Sequence, residues 1–163
     1  MDALKLLTQQ HAEAADLFER FEKAGKNARK TKEQLCQKLG DALTIHNTIE
    51  EKIFYPATKD ARTEELLREA VEEHLAVKRL LADILQTDLG DAQFDAKMKV
   101  AQEQFQHHRQ EEEKELFPVV RKMMERDELE QLGEEMEQLG NELKQQAAPR
   151  DQVLGETDHP AHI

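Results

Sequence analysis

Four histidines and two glutamates carry the chemistry that can be read from this chain: His11, the pair His46 and Glu50, His74, and the pair His108 and Glu112. A glutamate four residues after a histidine lies on the same face of a helix one turn further on, so each pair offers an imidazole and a carboxylate to one point. The two paired stretches echo each other from histidine to proline: His46-Asn-Thr-Ile-Glu50-Glu51-Lys-Ile-Phe54-Tyr55-Pro56 matches His108-Arg-Gln-Glu-Glu112-Glu113-Lys-Glu-Leu116-Phe117-Pro118. That register selects His108 over its neighbour His107, and Glu112 over Glu111. Imidazoles and carboxylates without a thiolate suit iron or manganese and argue against structural zinc or an iron-sulfur cluster.

Helices must position these groups. The chain has 163 residues with only 6 Gly and 4 Pro and is rich in Glu, Gln, Lys, Leu and Ala, which points to one all-α domain. The spacing predicts a first helix from an Asp2 cap to Gly25, with the stripe Leu4, Leu7, His11, Ala14, Phe18, Phe21. A second starts at Thr31, where Gln34 completes a capping box, and runs to about Pro56 through Leu35, Leu39, Ala42, His46, Ile49 and Ile53. A third, capped by Thr63, carries Leu67, Ala70, His74, Val77, Leu81 and Ile84. A fourth runs from about Asp91 past Pro118 with Phe94, Met98, Ala101, Phe105, His108, Glu112, Leu116, Val119 and Met123 on one face. Each stripe is apolar except where a candidate ligand interrupts it.

A shorter fifth helix is expected after an Asp127 cap, packed outside the bundle. The expected organisation is therefore an antiparallel up-down four-helix bundle over residues 2–126, an added helix over 127–146, both in one domain of residues 1–146, and a disordered, flexible tail over 147–163. In such a bundle, height follows from distance to the adjoining turn. Counted that way, the four histidines match in level to within about 6 Å at a rise of about 1.5 Å per residue. A single buried histidine is ordinarily a hydrogen-bonded core residue. Four at one level, two with carboxylates at i+4, would cost several kcal/mol if left unpaired, and a metal removes that cost.

The ligand count favours two ions over one. If both glutamates bridge, the protein fills eight of roughly twelve positions of two octahedral ions, and an oxo or hydroxo bridge fills two more, leaving about one open position per ion for a small molecule. A formal net charge of -12 disfavours nucleic acid and anionic membranes as partners. No apolar run is long enough to span a bilayer, the N-terminus lacks signal-peptide features, and a lone cysteine, Cys36, suits a reducing compartment, so a cytoplasmic protein, monomeric or weakly self-associating, is expected.

The pattern His11, His46-xxx-Glu50, His74, His108-xxx-Glu112 resembles the hemerythrin-like (HHE cation-binding) domains, which hold a non-haem di-iron centre, over about residues 2–126. The resemblance implies that those six residues ligate two iron ions, with Glu50 and Glu112 as bridges. Oxygen-carrying hemerythrins have a further histidine four residues after the third-helix histidine, where this chain has Lys78. The departure makes the site more similar to family members proposed for peroxide breakdown and for repair after nitric oxide stress. Ferritin-like bundles use Glu-x-x-His, which is absent: the residues three before the helical histidines are Thr8, Leu43, Val71, Gln104 and Phe105.

The expected activity is therefore a di-iron reaction with peroxide, dioxygen or nitric oxide, with non-catalytic sensing or storage of dioxygen or iron as the alternative. A plain bundle whose polar core only specifies register ranks last. Tyr55 takes the slot of Phe117 in the echo, which is a packing position, though a phenol there could bind iron or carry an electron. Lys78 is expected as a surface lysine able to reach the site. Glu51, Glu113 and His107 are expected at the surface or orienting ligand imidazoles.

Overall fold

The computed structural model describes residues 1–163 and contains helices only. Helix α1 (Ala3–Lys23) packs against α2 (Arg29–Ile49), and α4 (Glu64–Leu85) against α5 (Phe94–Glu111); α1 meets α5 and α2 meets α4, which closes a four-membered bundle. The rods of α2 and α5 continue through two π-helical turns, Glu50–Phe54 and Glu112–Leu116, into α3 (Tyr55–Thr58) and α6 (Phe117–Met123). Helix α7 (Arg126–Lys144) lies along α1 and α2. No helix is long and apolar enough to cross a membrane.

Local chemistry accounts for most boundaries. Asp2 caps α1 by accepting the Lys5 N–H at 2.9 Å, as its sequence position predicts. Thr63 stands at the start of α4, but its hydroxyl knits the preceding loop instead, donating to the Thr58 carbonyl at 2.7 Å and accepting the Asp60 N–H at 2.9 Å. The capping box expected at Thr31 is not formed. Helix α2 begins two residues earlier, where Arg29 pairs with Glu33 and with Asp88 across the bundle, a tertiary contact that local propensity does not encode. Helix α5 starts at Phe94 rather than Asp91, because Asp88 and Asp91 accept the N–H groups of Gly90 and Gln93 and hold that stretch as a turn. Helix α7 starts ahead of Asp127, with the Glu128 carboxylate reaching back to the Glu125 N–H at 2.7 Å.

The π turns are the departure from regular helix that matters for the site. Tyr55 and Phe117 donate their N–H groups five residues back, to the carbonyls of Glu50 and Glu112. Each is followed by a proline, Pro56 or Pro118, which has no N–H and whose ring crowds the carbonyl four residues back. Those carbonyls belong to Lys52 and Lys114, both inside the widened turns. The extra residue advances the buried face by one position. Ile53 and Val119, which a continuous 3.6-residue stripe would bury, are only half-buried, while Phe54, Tyr55 and Val120 are buried.

Residues 147–163, expected to be a loose tail, are instead folded onto the bundle. Pro149–Gly155 form a 3-10 helix against α2 and α4. Val153 is 1 % exposed, and Arg150 pairs with Asp41 at 3.1 Å. The segment has few large apolar residues, so its docking rests on Pro149, Val153 and Ala161 and on polar pairing, which composition does not reveal. Helix α7 does lie outside the four rods, and its inner face is buried through Leu129, Leu132, Met136 and Leu143. Gly133 lets it approach the N-terminus: a Cβ there would lie 2.0 Å from the Met1 carbonyl oxygen.

Candidate metal centre

The six residues singled out by spacing converge in the interior, each between 0 % and 3 % exposed. Single ligand atoms from His11, His46, Glu50, His108 and Glu112 all lie within 4.8 Å of one another. His74 joins them, with its Nε2 at 2.9 Å from Glu50 Oε2 and 3.1 Å from His108 Nε2. The first turn of each π segment places Glu50 and Glu112 at the cluster, one helical turn beyond His46 and His108.

All four imidazoles point Nε2 inward and Nδ1 outward. His46 Nδ1 meets Gln10 Oε1 at 2.8 Å, His74 Nδ1 meets Glu51 Oε1 at 3.3 Å, His108 Nδ1 meets Glu73 Oε1 at 3.0 Å and His11 Nδ1 meets Glu113 Oε1 at 2.9 Å. The partners run round the bundle in one sense, each rod holding the imidazole of the next. A carboxylate can only accept, so those Nδ1 atoms carry protons, and in the neutral imidazole the inward Nε2 is the lone pair. His11 Nε2 then faces Glu112 Oε2 at 3.1 Å, and His46 Nε2 faces Glu50 Oε2 at 3.2 Å. These nitrogens, with Glu50 Oε1 and Glu112 Oε2, are buried without a hydrogen-bond partner.

Lone pairs facing one another in a dry interior need a cation between them. In the absence of a metal, protons serve. Burial opposes charge on His11, but Glu112 and Glu113 outweigh it and lift the imidazole to about 9. Burial likewise opposes charge on His74 and His108, yet Glu50 with Glu51, and Glu112 with Glu50 and Glu73, raise them. His46, whose outer partner is the uncharged Gln10, is pushed down by burial despite Glu50. Burial would raise the Glu50 carboxyl, but His46, His108 and His74 hold it well below its ordinary value. Orphaned nitrogen and oxygen donors of this kind fit a transition-metal site of mixed imidazole and carboxylate character.

Tyr55 is placed at the centre rather than in a packing slot. Its hydroxyl lies 2.7 Å from Glu112 Oε1, 3.2 Å from Glu50 Oε2 and 3.1 Å from His74 Nε2. Burial, then the charges of Glu112 and Glu50, hold the proton on the phenol well above its usual range. Lys78 is not a free surface lysine. It is 11 % exposed, with Nζ 2.7 Å from Glu51 Oε2 and 2.7 Å from Glu156 Oε2, so it touches the site through Glu51. His107 points outward and pairs with Glu73 and Glu111. Cys36 sits at the opposite end, its thiol raised to about 11 by burial against a small opposing pull from Arg150, as expected of an inert side chain.

Sequence reasoning missed Gln10 and Glu73. The signal that finds them is adjacency: Gln10 precedes His11 and Glu73 precedes His74, as Glu51 follows Glu50 and Glu113 follows Glu112. A residue next to an inward-pointing ligand turns by about 100° on the helix and so reaches the neighbouring rod.

No curated protein matches the chain. Among solved structures, it is similar to a hemerythrin HHE cation binding domain-containing protein from Mycobacterium kansasii, at 25% sequence identity and a TM-score of 0.77, over 93% of this chain and 98% of that one. The family model for the hemerythrin HHE cation binding domain matches residues 2–120, a span that holds all six converging side chains. With that match over most of its length and, at its centre, histidines and glutamates grouped closely enough to hold a metal ion, the chain belongs to the hemerythrin HHE cation-binding domain family.

Proposed function

We propose that the cluster holds two iron ions, with His11, His46, Glu50, His74, His108 and Glu112 as ligands and the two glutamates shared, and that the protein uses them to react with hydrogen peroxide, dioxygen or nitric oxide. The observation that carries this reading is the set of buried Nε2 and carboxylate lone pairs facing one another without partners. Six donors would saturate one octahedral ion, whereas two ions share them and keep positions open. Bound iron would supply Lewis acidity and ferrous–ferric cycling.

The chain's own residues do the rest. Outward hydrogen bonds fix each imidazole in the tautomer that leaves Nε2 free. Burial excludes water. Tyr55 keeps a proton on its hydroxyl within 2.7 Å of Glu112 Oε1, where it can donate a hydrogen bond to a reactant. Replacing Tyr55 by Phe would then slow turnover by about 10²–10⁴-fold while leaving metal content unchanged; an unaltered rate and visible spectrum would remove Tyr55 from the reaction.

Metal analysis of protein made without an affinity tag, with optical spectra before and after peroxide, tests the whole reading. Two irons per chain and a near-ultraviolet band that responds are expected. Iron-loaded protein that leaves peroxide intact and does not change spectrally with dioxygen or nitric oxide overturns it. A second reading, sensing without turnover, draws support from the path Glu156–Lys78–Glu51–His74, which joins the C-terminal segment to an imidazole. Reversible oxygenation without product, with changed hydrogen exchange over residues 127–163, would favour it.

A further inference from the structure

With every candidate ligand buried, a reactant must cross the protein to reach the cluster. A cavity of about 620 Å³ lies between the bundle and the folded C-terminal segment. Its inner wall includes Thr48, Tyr55, Val71 and Leu75; its outer wall is made by Gln152, Glu156 and residues 159–163. Tyr55 belongs to both places. It is one of the residues lining the cavity, and its hydroxyl touches the oxygens of Glu50 and Glu112.

Two other recesses offer poorer approaches. The recess beside Glu73, His107 and Glu111 is lined by charged residues and has the Glu73–His108 contact behind it, so entry there would break the support of an imidazole. The recess at Phe18, Phe21 and Met98 lies in the opposite half of the bundle, against aromatic core.

The outer wall of the large cavity is held by charge. Lys78 Nζ sits between Glu51 on the first π turn and Glu156 at the end of the 3-10 helix, at 2.7 Å from each. That wall is also attached by a Gln152 to Thr48 hydrogen bond of 3.4 Å, by the buried Pro149 and Val153, by Ala161 packed against the core, and by the Arg150–Asp41 pair. We propose that this cavity is the vestibule through which small molecules reach the metal cluster, with Tyr55 as its inner gate and the Glu51–Lys78–Glu156 triad as the latch of its outer wall.

The inference rests on the proposed function for the identity of the reactant, but its test does not. Tyr55 is the one tyrosine of the chain and there is no tryptophan, so intrinsic fluorescence reports on the gate itself. In zinc-loaded protein, where the metal is redox-silent, quenching of that emission by acrylamide measures access to the cavity. Ala161→Phe fills the vestibule and is expected to lower the quenching constant at least twofold. Glu156→Lys sets two cations against each other at the latch and is expected to raise it at least twofold.

Stopped-flow binding of azide to iron-loaded protein should follow the same order, at unchanged iron content. If the filling variant leaves both quenching and azide rate at the wild-type values, the vestibule is overturned; if the charge variant does so, the latch is overturned. Access that responds as expected in a protein inert to peroxide, dioxygen and nitric oxide would instead locate the failure in the functional reading.

Discussion

The layer of converging histidines and glutamates divides the interior into two hydrocarbon halves that are built differently. In the far half, Phe18, Phe21, Leu35, Leu39, Leu81, Phe94, Met98 and Phe105 all come from regular α-helix, and only Val153 of the 3-10 helix is added to them. The other, with Leu7, Ile49, Phe54, Tyr55, Leu116, Phe117, Val120 and Met136, contains both π turns and is covered by α7. Regular helix suffices where the only task is to bury apolar surface. Where carboxylates and a phenol must be aimed at one point, the chain departs from the 3.6-residue period and needs an added helix to cover the result. The comparison predicts that stability and site chemistry are separable in the far half and coupled in the π-turn half.

The largest effect should come from the layer between them. Stripping the metal, or replacing Glu50 by Ala, leaves buried donors with no cation. With metal at about 1,000 times its Kd the stabilisation lost is about 4 kcal/mol, or roughly 8–16 °C in Tm for a chain of this size. A chelated protein that melts with the loaded one would mean that the two halves need nothing between them.

Next come paired truncations, Leu39→Ala in the far half and Leu116→Ala beside the second π turn, each expected to cost about 2–5 kcal/mol in denaturant unfolding. Leu39→Ala should keep metal stoichiometry and visible spectrum; Leu116→Ala, which supports the turn that carries Glu112, should alter both. Equal spectra in the two variants would erase the distinction between the halves. Gly133→Ala probes the cover: the new methyl would meet the Met1 carbonyl oxygen at 2.0 Å and push α7 off the N-terminus, at about 1–3 kcal/mol. A smaller effect is expected from the outer hydrogen bonds. Glu73→Gln and Gln10→Ala, which weaken or remove the partners of His108 and His46, should lower metal affinity about 10–100-fold with little change in the melting of the metal-free protein.

The far half was legible in the sequence almost residue by residue, because its stripes follow the helical period: Leu35, Leu39, Phe94, Met98, Ala101 and Phe105 are all buried where that period places them. The convergence of the six candidate ligands was legible for the same reason, since His-xxx-Glu spacing and helix length set both face and height. Past Glu50 and Glu112 the helical period slips by one residue, and of the two readings that the sequence leaves for Tyr55, packing or a phenol at the centre, the second matches its position. The widened turns are the cause, and the prolines at the end of each echo are their trace. The docking of the C-terminal segment is hidden from the sequence for another reason. Its docking depends on Val153, Arg150 and Glu156 meeting residues more than 75 positions away, a relation that local composition cannot carry.

The smallest effect tests whether proton and metal compete for the same lone pairs. In the metal-free protein the His11 imidazole is raised to about 9, with burial opposing and Glu112 and Glu113 prevailing, so its proton stabilises that form fully below about 6.5 and is lost as pH rises through about 9. A metal ion must displace this proton, and those on His74 and His108, which are raised in the same direction. The gain in Tm on adding metal should therefore be least near pH 6.5 and grow toward pH 9. Titrations in buffers of different ionisation heat at pH 7.5 should register at least one proton released per site filled. A gain in Tm that is flat across this window, with heats independent of buffer, would mean that the inward nitrogens are already bare before the metal arrives, and that the outer carboxylates alone set the charge of the layer.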